Sequence, residues 1–346
     1  MLRSFRKILV IQTAFLGDVI LTLPLIQVLK KEFQEADIDV VATPQGSGLL
    51  ANHPSIRQVL QYDKRGEDKG VRGFFRLSRL IKSGGYDLAL LPHRSIRSAL
   101  LALLAHIPVR IGFDKSAAQW MYSNVVGYKI DTHEIERNLS LLEPLSVRIP
   151  GRELPTLHPG ISDRAAVDRF LDENGIDQKR PLIAIAPGTV WNTKRWLKER
   201  FAEVARTLAE EGCGVVLVGG NADRSLCLDI KSLAKNNNVL NSAGDLTLLQ
   251  SAELIRRSRL IVSNDSAPMH MGVAVHTPVI AIFGATVPAF GFAPYGSDDV
   301  VVETLGLTCR PCSIHGGAKC PIKTFDCMMN IEASRVLSIV RQKMRS

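Results

Sequence analysis

The sequence predicts an α/β protein made of two Rossmann-like halves. Short apolar runs rich in Val, Ile and Leu alternate with amphipathic stretches of helical length. The runs are continuous rather than alternating, as parallel strands covered on both faces require. The pattern lapses near mid-chain and begins again, and 346 residues suffice for two cores.

Arg3, Arg6 and Lys7 precede ILVIQTAFL, which imitates a secretory leader. Gly17 and Asp18 interrupt that run, so the reading is a buried strand, KILVIQ (7–12), followed by a helix over 19–33. DIDVVAT (37–43) and YDLALLP (86–92) are further strands, and 72–83 and 134–147 have helical spacing; together they make a first domain of 1–150. Residues 147–162, VRIPGRELPTLHPGIS, hold three prolines and two glycines without periodicity, which predicts a linker over 151–162. The second domain, 163–330, has helices over 163–174, 197–211 and 247–257. Its strands are PLIAIAP (181–187), GVVLVGG (214–220), RLIVSND (259–265) and PVIAIFG (278–284). A last helix over 331–344, in a segment 331–346, can pack on either half, including back on the first.

Composition is near the globular average, which excludes disordered and fibrous classes. No uncharged apolar stretch reaches the roughly 20 residues of a spanning helix. Lys and Arg outnumber Asp and Glu 43 to 34, a net charge of +9, which favours an anionic partner. Six cysteines are too few for a disulfide scaffold, so reduced thiols and a cytoplasmic location are expected.

Ligands of open parallel sheets bind beyond the carboxyl ends of the strands, so chemistry is expected at the strand-to-helix turns. In the first, QTAFLGDVILTLPL (12–25), Asp18 stands at a helix start. There it serves either as a cap for free amides or as a functional carboxylate. The turn lacks GxGxxG, which counts against a dinucleotide-dependent dehydrogenase. In the second, APGTVWNTKRW (186–196), Gly188 gives a flexible backbone, Thr189 a hydroxyl and Lys194 a cation near a helix start. This turn resembles a phosphate cradle without P-loop spacing; an exposed Lys194 is the plainer alternative. In the third, Asn264 and Asp265 end a strand, Ser266 occupies an N-cap position, and small Ala267 permits close approach. His270 follows one turn later. The second half thus suits a diphosphate-bearing nucleotide and the first offers a carboxylate.

At GDVILTLPLI (17–26), APGTVWNTKRW, SAGDLTLLQSAELIRRSRLIVSNDSAPMH (242–270) and FGATVP (283–288) the chain resembles the ADP-heptose:lipopolysaccharide heptosyltransferases of glycosyltransferase family 9. The PG…KRW form is most similar to the heptosyltransferase II branch. The resemblance implies a GT-B fold, two facing Rossmann-like domains with an interdomain cleft. It implies an inverting transfer of heptose from ADP-L-glycero-β-D-manno-heptose to the lipopolysaccharide inner core, the second heptose onto the first. Asp18 then matches the general base, while Thr189 and Lys194 match residues on the donor diphosphate. Gly188 belongs to the same stretch. Asp265, Ser266, Ala267 and His270 match the helix-start site for phosphate and heptose. Leu246 falls at an adenine contact and Asp223 near a ribose contact. Val190 departs from members with a second threonine there. No cofactor is implied. The expected partners are ADP-heptose, a lipid A–Kdo–heptose acceptor and the inner face of the cytoplasmic membrane, where the enzyme would sit peripherally. The alternatives are a related GT-B transferase with another nucleotide sugar or acceptor, and a non-catalytic nucleotide-binding module.

The segment CRPCSIHGGAKCPIKTFDC places Cys309, Cys312, Cys320 and Cys327 at C-x2-C-x7-C-x6-C spacing. Reduced thiols are the favoured reading, with a structural zinc site the alternative. The positive charge concentrates in residues 64–97, with nine basic residues against three acidic. Arg94 and Arg97 there are candidates for acceptor phosphate or carboxylate groups; the plainer reading of the stretch is a solvated helix face. No groove-reading or RNA-binding motif accompanies the charge, so no nucleic-acid partner is expected.

Overall fold

In the computed structural model, which describes residues 4–149, 151–177 and 179–345, the chain forms two units, Met1–His158 and Pro159–Ser346, each around its own parallel sheet. The first unit runs β1 (Lys7–Ile11), α1 (Leu16–Glu32), β2 (Asp37–Ala42), α2 (Pro44–Leu50), β3 (Gln58–Gln61), α3 (Gly70–Gly84), β4 (Leu88–Leu91), α4 (Ile96–Leu104), β5 (Val109–Phe113), β6 (Asn124–Val126) and α5 (Glu134–Ser140). Its strands lie in the order β3-β2-β1-β4-β5-β6. Leu9, Ile11, Val41, Ala89 and Leu91 meet Phe74, Leu77 and Ile81 of α3 and Leu101 and Ala102 of α4 on one face. The alternate residues Ile8, Val10, Leu88 and Leu90 are equally buried, so the strands read as continuous apolar runs. Helix α1 packs with α2 and α5, and its residues Val19–Leu29 are buried all round. The helix expected over 134–147 ends at Ser140, and a short 3-10 turn over Glu143–Leu145 follows. Pro144 there cannot donate to a continuing helix.

Much of the expected linker is bound to the first unit. Gln27 of α1 donates to the Leu154 carbonyl at 2.9 Å and accepts from the Thr156 amide at 3.0 Å. Lys31 pairs with Glu153 at 2.6 Å, and His158 meets the His53 ring edge-on at 4.9 Å.

The second unit runs α6 (Ile161–Glu173), β7 (Leu182–Ala186), α7 (Lys198–Glu210), β8 (Gly214–Leu217), α8 (Arg224–Ala234), β9 (Val239–Asn241), α9 (Leu248–Arg257), β10 (Leu260–Asn264), α10 (Ala267–Ala274), β11 (Val279–Phe283), β12 (Val300–Glu303), α11 (Asp326–Met329) and α12 (Ala333–Arg345). The order β12-β11-β10-β7-β8-β9 repeats the topology of the first sheet. Phe201, Val204 and Leu208 of α7 close over Ile183, Ile185, Val215 and Leu217. Helix α12, left free by the sequence to pack on either half, puts Val336, Leu337 and Val340 into this second core and lies against α7. No helix among the described residues is long and apolar enough to cross a membrane.

Candidate active site

In each sheet the strand order reverses once, between β1 and β4 and between β7 and β10, and a crevice opens there at the carboxyl ends. In the second unit Asn264, fully buried at the end of β10, donates to the Pro187 carbonyl at 2.8 Å and accepts from the Trp196 amide at 3.0 Å. One side chain thereby fixes both the turn after β7 and the end of the segment carrying Lys194. Lys194 Nζ lies 2.7 Å from Asp265 Oδ2, and Thr286 donates its hydroxyl to the same oxygen at 2.6 Å. Asp265 is buried and Lys194 nearly so, which rules out the exposed lysine that the sequence left open. An ammonium has three N–H donors, and the Asp265 contact uses one.

Ser266 is the N-cap of α10 in extended conformation, but its hydroxyl turns back to the Asn264 carbonyl at 3.3 Å. No side-chain cap bond forms there; Pro268 has no N–H and the Met269 amide donates to the Ser266 carbonyl at 3.1 Å, so it is the Ala267 amide that is left to another acceptor. Ala267 is half-buried at this helix start, and His270 is buried one turn in. Gly188 and Thr189 leave β7, and Thr189 accepts from Arg195 through its carbonyl at 2.8 Å. Asp223 accepts from the Gly220 amide at 3.0 Å and lies so close over Gly188 that any side chain there would strike its carboxylate. Leu246 is half-buried, one residue before Thr247, the N-cap of α9.

The Cys-rich segment braces this crevice. Gly317 and Thr193 bond reciprocally, Thr193 N to Gly317 O at 3.0 Å and Gly317 N to Thr193 Oγ1 at 2.7 Å. Cys312 N donates to the Ala285 carbonyl at 2.9 Å, and Arg310 donates to the Thr286 carbonyl at 2.8 Å and to Glu303 at 2.9 Å. Cys309, Cys312 and Cys320 are half-buried free thiols. Burial pushes the Cys327 thiol up to about 11, helped by its neighbouring cysteines. Among the described residues no group of three or more His, Cys, Asp or Glu side chains is arranged to hold a metal ion.

In the first unit Asp18 is the third residue of α1 and accepts from the Phe15 amide at 3.1 Å, so it does cap the helix, from inside its first turn. It is half-buried and faces a group that the sequence did not single out. Glu134, at the start of α5, is buried against Arg137 at 2.6 Å. Arg137 also donates to Tyr128 Oη at 2.5 Å and lies over the Tyr128 ring, and Arg94 stacks on that ring at 4.3 Å. Burial raises the Glu134 carboxyl to about 7; Arg137 and Arg94 oppose the rise, and the Asp18 charge adds to it. At the end of β4, His93 lies 3.4 Å from the Thr13 hydroxyl. Burial, with Lys64 and Arg94 nearby, lowers it to about 4. Lys64 donates to the Thr13 carbonyl at 2.8 Å and is itself held below its usual range by burial and by Arg65 and Arg97. Arg97 opens α4, exposed.

The geometry therefore gathers Gly188, Thr189, Lys194, Asp223, Asp265, Ser266 and Ala267 around the second crevice, with Leu246 beyond β9. Asp18 and Arg94 meet the same Glu134–Arg137–Tyr128 cluster at the first. Thr286, Arg195, Glu134 and Tyr128 were not singled out. Thr286 lies within FGATVP and Arg195 within the KRW stretch, whereas nothing in the sequence pairs Glu134 with Asp18.

Comparison with known proteins identifies the family and the fold. The family described as glycosyltransferase family 9 (heptosyltransferase) matches residues 74–319. Lipooligosaccharide heptosyltransferase 2 of Haemophilus ducreyi is 28% identical over 316 residues, spanning 86% of this chain and 89% of that protein. Lipopolysaccharide heptosyltransferase 3 of Escherichia coli is 30% identical over 281 residues, spanning 79% and 82%. The solved structure of E. coli ADP-heptose lipopolysaccharide heptosyltransferase II superimposes with a TM-score of 0.80 at 25% identity, over 97% of this chain and 98% of that one. The chain belongs to glycosyltransferase family 9, the heptosyltransferases, and has their GT-B architecture of two Rossmann-like parallel-sheet domains.

Proposed function

We propose that the protein moves heptose from ADP-heptose to the lipopolysaccharide inner core, adding the second heptose to the first, at the inner face of the cytoplasmic membrane. The observation that carries this reading is the Lys194–Asp265–Thr286 cluster beside the open start of α10. Displacement at the anomeric carbon releases ADP, and the charge that develops on its diphosphate needs donors already in place. Lys194 has N–H groups to spare, the Ala267 amide and the positive end of the α10 dipole face the same place, and Thr189 contributes a hydroxyl. With the charge met this way, the reaction asks for no metal ion. Asp265 and His270 border the place where the heptose hydroxyls would lie, with adenine toward Leu246 and ribose toward Asp223.

Asp18 is the proposed base. It takes the proton from the acceptor hydroxyl as that oxygen attacks the anomeric carbon from the face opposite ADP, which inverts the β-linked donor to an α-linked product. Arg94 and Arg97 supply positive charge for the acidic groups of the acceptor. A positioned proton acceptor contributes about 10²–10⁴-fold in rate. Asp18→Ala is therefore expected to lower kcat by at least that range while ADP affinity, measured by calorimetry, stays within a factor of two. Full turnover by this variant would remove Asp18 as the base.

A further inference from the structure

Helix α3 has an outer face that the transfer chemistry does not use. Its inner face buries Phe74, Leu77 and Ile81 in the first core, with Gly73 and Ser78 beside them. Outward it turns Val71, Phe75 and Leu80, which are 70%, 46% and 51% exposed, among Arg72, Arg76, Arg79 and Lys82. Val71, Arg72, Phe75, Arg76 and Arg79 line an open depression of about 400 Å³. The fifteen residues of the helix include four cations and no acid. The same layer holds α4 and the turn Gln119–Met121, which share the core with α3, and Trp120 on that turn is 73% exposed.

A helix face meant only for water mixes acids with bases and keeps large apolar groups inward. This one combines arginines with bare aromatic and aliphatic side chains, and the combination selects a partner that is anionic and apolar at once. A duplex nucleic acid would satisfy the arginines and leave Val71, Phe75 and Leu80 without a use. A bilayer of acidic lipids satisfies both groups. Guanidinium groups bridge lipid phosphates through paired hydrogen bonds, and the apolar side chains enter the acyl boundary below them.

We infer that α3 is the element by which this protein docks, lying flat, on an acidic lipid surface. This supplies the membrane contact that a lipid-linked acceptor calls for, and it stands or falls separately from heptose transfer. The test uses the full-length protein in sedimentation with vesicles of phosphatidylcholine alone or with phosphatidylglycerol added. Arg76 is left in place because its guanidinium is held by Asp68. Wild type is expected to bind the phosphatidylglycerol vesicles at least tenfold more tightly than the neutral ones, and to release as salt rises. Arg72→Glu/Arg79→Glu is expected to lose at least tenfold of that affinity and Phe75→Ser several-fold, both with unchanged ADP binding and unchanged circular dichroism. Equal binding to the two vesicle types, or undiminished binding by the variants, would overturn the inference. So would a charge-reversal variant that lost affinity for duplex DNA but kept it for vesicles.

Discussion

Lys194 shows how much a single side chain here depends on its surroundings. Its ammonium is shared with a buried carboxylate, and its backbone is held on one side by Thr193–Gly317 and on the other by Trp196–Asn264. On the proposed function, Lys194→Met removes the cation and would leave Asp265 facing the diphosphate uncompensated. Hydrogen bonds to charged groups are worth about 1.5–3 kcal/mol. ADP affinity is therefore expected to fall roughly 10–100-fold by calorimetry, and undiminished binding would show that the lysine lies off the phosphates. Glu134 leads to a pH prediction. Its carboxyl is raised from the ordinary 4.5 to about 7, so the folded protein holds a proton that the unfolded chain releases. The stability from this is complete below 4.5 and is lost as the pH rises through 7. Thermal melts should show the wild type losing ground to Glu134→Gln between pH 4.5 and 7, with no further change above that. A constant difference across the range would place the group outside this linkage. The placement of Asp18 in the first turn of a helix after a strand is legible in the sequence. Its buried neighbour is not, because the tertiary packing of α5 on α1 brings them together.

At the scale of elements, close packing sets where α10 begins. A Cβ on Gly272 would come within 2.8 Å of both Ile261 and Val279, so the helix lies directly on β10 and β11 and holds its first turn at the crevice. Overpacking of this kind costs about 1–3 kcal/mol. Gly272→Ala is expected to lower the denaturation midpoint and weaken ADP binding together; a stable, fully binding variant would mean that α10 tolerates displacement. The central strands other than β5 are legible because both their faces are covered, which leaves continuous apolar runs such as LIAIA at β7; in β5, VRIGF, the half-buried Arg110 breaks the run and the sequence does not predict it. The edge strands β3, β6, β9 and β12 were not predicted. Three of them expose or half-expose most of their residues, and β9, though mostly buried, is only three residues long, so no continuous run marked any of them. Helices α2, α4 and α8 were also passed over; α2 carries Pro44, Gly46 and Gly48, which dilute any apolar period. The Asp-x-Asp at 37–39 is structural. Asp39 is fully buried on β2 and bound by Tyr86, by Gln58 of the neighbouring β3 and by Arg57 just before that strand, which ties the edge strand to the sheet.

Over the whole molecule, two sheets of identical strand order hold Asp18 in one unit and the Lys194–Asp265 pair in the other, the two places to which the proposed function assigns base and diphosphate. Residue types at strand ends place Lys194, Asp265 and Asp18 at the carboxyl ends of the two sheets, and the family resemblance supplies the roles proposed for them. The supporting contacts of Thr286 and the Gly317 brace come from segments distant in sequence and are not readable there. The net charge of +9 also resolves into places, with part of it around Arg94 and Lys64 at the first crevice and part on the outer face of α3. The central claim is the transfer itself. Purified protein should be incubated, with a chelator present, with ADP-heptose and with core acceptors carrying no heptose or one, and the products weighed by mass spectrometry. The account predicts one added heptosyl residue on the heptose-bearing acceptor, with stoichiometric release of ADP. No transfer to that acceptor, or transfer only to the heptose-free core, would contradict it.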